Sequence, residues 1–164
     1  MSDLHSTRIH NSPVFETIDL ERYSSDSYVE YFGLSVADHT KTHWVMVIIQ
    51  CFKSHGNIFN PGILHIPETD VLFVGAGDRI SAFHINPYEK LWLDIADTGF
   101  WFWARFGEYV IMSAELELAA WRTTGEKLWT WFVEPPWDYN VVNGEVNLDI
   151  MGDKSTFSLE KGPI

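Results

Sequence analysis

Apolar and polar positions alternate in short runs along this chain, and Gly, Asn, Asp and Pro punctuate the runs. Alternation with a period of two is the signature of a strand with one face buried. Tyr28 to Val36 and Trp44 to Phe52 read as two strands joined by the polar connection 37–43. The second of them is apolar on both faces, as in a strand covered on both sides. From Pro61 onward the chain offers short extended pieces at Ile63–Ile66, Phe100–Phe106 and Tyr139–Val142. Each is followed by a turn rich in Asp, Gly or Asn and then by two hairpin-paired strands. In 109–118, Val110, Met112, Ala114, Leu116 and Leu118 are expected on one face, with Ile111, Ser113, Glu115 and Glu117 on a wetter one. No segment holds a helical period over ten residues, so the pattern predicts an all-β protein.

The runs repeat. Val71 to Phe83, closing on Glu89-Lys90-Leu91-Trp92, is echoed by Tyr109 to Trp121, closing on Gly125-Glu126-Lys127-Leu128-Trp129. A fainter third copy is Val146 to Phe157, closing on Glu160-Lys161-Gly162. Trp92 and Trp129 are 37 positions apart, Phe83 and Trp121 are 38 apart, and Trp121 and Phe157 are 36 apart. A period in this range marks stacked supersecondary units. Residues 1–13 are polar and aperiodic and read as a flexible N-terminal arm. Residues 14–164 read as one all-β domain. Within it 14–59 are divergent N-terminal strands, and 60–98, 99–136 and 137–164 are repeat units.

Gly75-Ala76-Gly77-Asp78 through Ala82-Phe83, with Lys90-Leu91-Trp92, resembles the quinoprotein-type (PQQ-like) β-propeller repeat, as does Ala120-Trp121 with Gly125 to Trp129. The resemblance covers about residues 60–164. It implies antiparallel blades and a closing Trp92 and Trp129 packed between neighbours. It implies no activity, because that family contains quinone-dependent dehydrogenases and catalytically empty scaffolds alike. Arg79 stands where the family prefers Gly, and the third unit lacks its Leu-Trp. Three units cannot close a ring, since propellers close with four to eight blades. Residues 14–59 could supply a fourth unit, giving a small four-unit propeller. The sheets could instead form a β-sandwich or a curved open sheet, or two chains could complete one homo-oligomer.

The net charge of −12 repels phosphate backbones and anionic lipid, which argues against nucleic-acid and membrane partners and suits a basic protein partner. A single cysteine, Cys51, permits no internal disulfide and follows an apolar run, as a buried filler would. No basic segment leads into an apolar run at the start, and the longest apolar run, 44–49, is far shorter than a membrane span, so a cytoplasmic location is expected.

Candidate chemistry is sparse. Asp97-Thr98-Gly99 copies the aspartic-protease triplet, but that chemistry needs two such carboxylates sharing a proton, and the repeat explains the triplet as a turn. His39 and His43 have metal-ligand spacing only on a helix, and His55, His65 and His84 are scattered. Glu115 and Glu117 read as a solvated strand face rather than an acid–base pair. Gly75-x-Gly77 lacks the third glycine of a dinucleotide loop and reads as a bend. Nucleophile motifs are absent. No catalytic, metal or cofactor site follows, and no cofactor is expected.

The aromatic run Phe100-Trp101-Phe102-Trp103, with Arg105 and Phe106, is the strongest candidate surface. In a regular strand Phe100 and Phe102 face one way and Trp101 and Trp103 the other. Trp131 and Trp137 extend the set. Trp and Arg are common anchors of protein interfaces. The expected function is a non-catalytic protein-binding or scaffold domain, such as a small regulatory or immunity-type protein. Its candidate binding residues are Trp101, Trp103, Arg105, Trp131 and Trp137. The alternative is a sugar-like small-molecule binder, or an enzyme, with an aromatic-lined pocket.

Overall fold

The computed structural model describes residues 14–18, 29–37, 44–53 and 60–163. The described residues form fourteen strands in four sheets and no helix. Sheet I holds β1 (Val14–Ile18), β2 (Val29–Ala37) and β3 (Trp44–Lys53) in the order β1-β3-β2, with β1 parallel to β3. Sheet II is the meander β4 (Gly62–Ile66), β5 (Val71–Ala76), β6 (Arg79–His84) and β7 (Glu89–Ile95). Sheet III is β8 (Phe100–Phe106), β9 (Tyr109–Ala114), β10 (Glu117–Arg122) and β11 (Lys127–Phe132). Sheet IV is β12 (Trp137–Val142), β13 (Glu145–Ile150) and β14 (Asp153–Ser158), with no fourth strand among the described residues. Apart from the β1–β3 pair, every ladder is antiparallel.

The sequence repeat is a structural one. β5, β9 and β13 begin at 71, 109 and 145, and β6, β10 and β14 at 79, 117 and 153. These are the spacings of 38 and 36 seen between Phe83, Trp121 and Phe157. A bulge recurs at Ala82/Phe83 and at Ala120/Trp121, two equivalent places. The arrangement is propeller-like: consecutive sheets face one another across apolar cores. Leu72, Val74 and Phe83 pack with Met46 and Ile48 between sheets I and II. Phe73, Ile80, Phe100, Met112 and Trp121 fill the II/III joint. Ile111, Leu118, Val146 and Leu148 fill the III/IV joint. Among the described residues no core cluster joins sheet IV to sheet I.

Sheet III is therefore covered on both faces, which corrects the expected wetter face in 109–118. The run does not continue as one strand but turns at Glu115-Leu116. Met112 and Ala119 then share the II-facing side, while Ile111 and Leu118 share the IV-facing one. Ser113 is fully buried and Glu117 is only 5% exposed.

The closing tryptophans join the sheets. Trp92 on β7 donates its indole N–H to the Gly125 carbonyl of the next sheet at 2.7 Å and stacks on Trp121. Trp129 on β11 donates to the Leu159 carbonyl, also at 2.7 Å, and meets Phe157 edge-on. Gly125 and Gly162 have positive φ, and a Cβ would meet the Leu91 side chain at the first and the Trp129 ring at the second, so a side chain there would be both strained and obstructed. Lysines repeat the pattern on the outer strands: Lys90 of β7 reaches Glu16 of β1 at 3.0 Å, and Lys127 of β11 reaches Asp94 of β7 at 2.7 Å. This places β1 as the outer strand of sheet I despite its parallel pairing. Burial alone would raise the Glu16 pKa, but the Tyr88 hydroxyl and the Lys90 ammonium outweigh burial and hold it below the ordinary carboxylate range.

Gly75 is not a bend. It lies inside β5 directly opposite Gly62 of β4, and the Phe100 ring rests on the bare pair. Gly77, with φ of 60°, makes the turn. The hairpins Asn143-Gly144 and Met151-Gly152 have positive φ at both central residues, the conformation whose twist matches a two-residue β-hairpin.

Candidate binding surface

Strand β8 carries the aromatic run, and its geometry departs from simple alternation. A bulge between Phe100 and Phe102 adds one residue against β9, so Phe100 pairs with Ala114 and Phe102 with Ser113. An inserted residue shifts every later side chain to the other face. Phe100 and Trp103 consequently share the II-facing side, where Trp103 lies 5.3 Å from Phe73, 5.4 Å from Phe100 and 5.5 Å from Trp121. Trp103 thus packs, partly buried, against the inter-sheet core.

The bulge residue Trp101 is half-buried and stacks on Trp137 of β12, with centroids 5.2 Å apart and planes within 8°. Trp137 donates its indole N–H to the Glu115 carbonyl at 3.0 Å, which fixes the ring, and its other neighbour is Tyr139 at 6.2 Å. Phe102, beside them in sequence, is 47% exposed. Trp101, Trp137 and Tyr139 form a column across the start of sheets III and IV, with Phe102 next to Trp101. Burial pushes the Tyr139 hydroxyl pKa up, keeping it a neutral polar group.

The other two candidate residues are elsewhere. Arg105 is held by a two-pronged ion pair to Glu68, both contacts at 3.1 Å, and by a bond from its Nε to the Gly107 carbonyl. Its guanidinium holds the Glu68 carboxyl below its ordinary range. Trp131 on β11 is 40% exposed, with Phe132 next to it at 60%. The five residues therefore divide into a stacked pair (Trp101, Trp137), a partly buried residue packed on the core (Trp103), a paired cation (Arg105) and a separate outer-strand aromatic (Trp131). Sequence reasoning placed Phe102 in the aromatic run but not among the candidate binding residues, and it omitted Phe132 and Tyr139. Tyr139 had a usable signal, since it stands two residues from Trp137 in one strand and so shares its face.

A cavity of about 830 Å³ opens on the outward face of sheet IV. Asp138, Asn140, Asn147, Asp149 and Lys154 line it, with Trp137 at its margin. Asn147 donates to Asn140 at 3.0 Å and accepts from Thr156 at 2.9 Å, so a hydrogen-bonded polar row crosses the face. This face has no covering sheet among the described residues, and its polarity suits water, as in the terminal cap of a repeat array.

Asp97-Thr98-Gly99 is the turn between β7 and β8, as the repeat implied, and Glu117 pins it. The Glu117 carboxylate accepts the Asp97 N–H at 2.9 Å. This corrects the expectation of a solvated Glu117. Burial raises its pKa, and the Asp97 N–H and Lys127 only partly oppose that. The folded state thus holds this proton more tightly than the unfolded chain does. The ionisation penalty is in force at neutral pH and disappears as pH falls through the raised pKa and below the unfolded value. Glu117→Gln keeps an acceptor for Asp97 without the charge. It should match or exceed the parent in stability at neutral pH, and the gap should close toward acid. Glu117→Ala should lose about 1–2 kcal/mol at every pH. Urea melts of all three from neutral pH into the carboxylate range test this; a parent-to-Gln gap independent of pH would refute it.

The remaining polar candidates are locally satisfied. His84 meets the Pro87 carbonyl at 2.8 Å, and His65 lies 3.4 Å from Asp70. His39, His43, His55 and the arm 1–13 lie outside the described residues. Among the described residues no three metal-ligating side chains cluster, and no helix is long and apolar enough to cross a membrane.

No protein-family model and no curated protein matches the chain. Solved structures do. The computationally designed Ika4 protein is 13% identical with a TM-score of 0.48, covering 68% of this chain and 74% of that one. The designed Ika8 protein is 13% identical with a TM-score of 0.44, covering 70% of this chain and 38% of its own. BamB from Moraxella catarrhalis is 16% identical with a TM-score of 0.43, covering 79% of this chain and 40% of its own. The chain thus spans about two fifths of the length of the latter two. The sheets themselves, with their repeated joints, carry the propeller-like description.

Proposed function

We propose that the protein is a non-catalytic scaffold of quinoprotein-type repeats that binds another protein through Trp101, Trp137 and Phe102. The observation that supports this reading is the parallel stack of Trp101 on Trp137, held at the surface by the Trp137–Glu115 bond beside an exposed Phe102. Rigid, half-buried aromatics lose little conformational freedom on binding and anchor interfaces well. The −12 net charge favours a basic partner met in the cytoplasm. The test is a pull-down with tagged parent, Trp101→Ala and Trp137→Ala proteins, each first checked by circular dichroism. A specific partner should be retained by the parent and lost by both folded variants; undiminished capture by both would defeat the proposal.

The cavity favours a second reading, a sugar-like ligand. Its lining offers the amides of Asn140 and Asn147, the carboxylates of Asp138 and Asp149, and the edge of Trp137. Tryptophan fluorescence titrated with a saccharide panel separates the two readings: saturable change supports the ligand, a flat response the scaffold.

A further inference from the structure

Each ring of the Trp101–Trp137 stack stands just behind a turn: residues 97–99 precede β8, and residues 134–136 precede β12. Equivalent backbone bonds frame the two turns. Ala96 donates to the Asp78 carbonyl at 2.9 Å and Val133 to that of Leu116 at 3.1 Å. Glu115 donates to the Gly99 carbonyl at 3.2 Å and Met151 to that of Pro136 at 3.0 Å. What stiffens the turns differs. Pro135 and Pro136 restrict the second through their rings. The first has no proline, and Thr98 holds a φ of 66° there. We propose that Glu117 is the positioning residue of the aromatic surface: its buried carboxylate grips the strained turn 97–99 and so fixes the Trp101 bulge against Trp137. The functional weight of that role rests on the binding surface proposed above.

A β-branched residue with positive φ is rare and is kept only where its surroundings over-determine it. Three bonds lace 97–99 to 115–117. Gly99 accepts from the Glu115 N–H, Asp97 accepts from the Leu116 N–H at 3.4 Å, and the Glu117 carboxylate accepts the Asp97 N–H at 2.9 Å. The lacing extends to the second ring. Glu115 bonds Gly99 through its N–H and holds the Trp137 indole N–H through its carbonyl. Release at Asp97 is therefore felt at Trp101 along β8 and at Trp137 through Glu115.

The repeat itself does not call for this carboxylate. Strands β6, β10 and β14 begin at Arg79, Glu117 and Asp153, so the three units carry different residues at the position. Glu117 is 5% exposed, and a buried carboxylate is unfavourable unless its bonds offset the lost hydration. Its bond to Asp97 gives the local reason for its presence.

The test needs no partner. The indole N–H signals of the eight tryptophans are assigned in the isotope-labelled full chain by single replacements with phenylalanine. Hydrogen exchange is then followed at each signal. Glu117→Ala, checked by circular dichroism, should speed exchange at Trp137 about tenfold and shift the Trp101 signal. Trp92 and Trp129, whose indoles bond the Gly125 and Leu159 carbonyls, should exchange as in the parent. Glu117→Gln, which keeps an acceptor for Asp97, should stay within about twofold of the parent at Trp137. Thr98→Asn approaches from the turn and does not endanger folding, since asparagine tolerates positive φ. It should slow exchange at Trp137 about fivefold. Exchange at Trp137 that responds to neither Glu117→Ala nor Thr98→Asn overturns the proposal. Equal acceleration at Trp92, Trp129 and Trp137 overturns it too, because that would be general loosening. The pull-down decides separately whether the surface binds a partner, so the two failures are distinct results.

Discussion

Gly75→Ala is expected to destabilise the protein by about 3 kcal/mol, a large effect for one methyl group. The added Cβ would lie 2.5 Å from the Phe100 ring at its nearest atom, closer than real Cβ contacts allow. The ring cannot retreat, because it also touches Trp103 and occupies the buried II/III core. Gly62→Ala, whose Cβ would meet the tip of the same ring at 2.9 Å, should cost less. Gly33→Ala meets nothing within 4 Å and serves as a near-neutral control. Phe100→Ala alone should lose about 3–5 kcal/mol. If the methyl and the ring compete for one space, the double variant Gly75→Ala/Phe100→Ala should be more stable than the sum of the singles predicts, by about 2 kcal/mol. Urea denaturation of the four proteins measures this; strict additivity would show that the glycine pair has another purpose.

Trp92→Ala should cost about 3–5 kcal/mol, because it removes the ring stacked on Trp121 and opens the joint between sheets II and III. Trp92→Phe separates the two contributions. The ring contact is largely kept, but the buried Gly125 carbonyl loses its donor, which costs about 1–2 kcal/mol. Trp129→Phe should behave alike through the Leu159 carbonyl. Equal losses at the two sites, read by thermal and urea melts, would establish that the repeat uses one device twice. A neutral Trp92→Phe together with a costly Trp129→Phe would show that the two joints are not equivalent.

Much of this architecture was legible in the sequence because repeated contacts require repeated residues. The turn glycines with positive φ, the closing tryptophans and the outer-strand lysines each do the same work in successive units, so they recur at 36 to 38 residues. Asn143-Gly144 announced its hairpin for the same local reason. The Asp97-Thr98-Gly99 triplet read correctly as a turn because its neighbours were already assigned to strands.

Other features depended on contacts distant in sequence. Glu117 looked like one of two solvated carboxylates, yet the chain turns just before it and folds it under Asp97, twenty residues away. Gly75 looked like a bend because no local pattern announces Phe100 lying across it. The single extra residue at Trp101 turned Trp103 against the II/III core and left Trp101 to stack on Trp137, since a one-residue bulge reverses the facing of all that follows. Sequence alone thus determined the strands, their turns and their period, which are properties of neighbouring residues. The tertiary structure decided which aromatics pack against a core and which stand at the surface. Those outcomes are set by how sheets meet across space, and a periodic pattern carries no record of that.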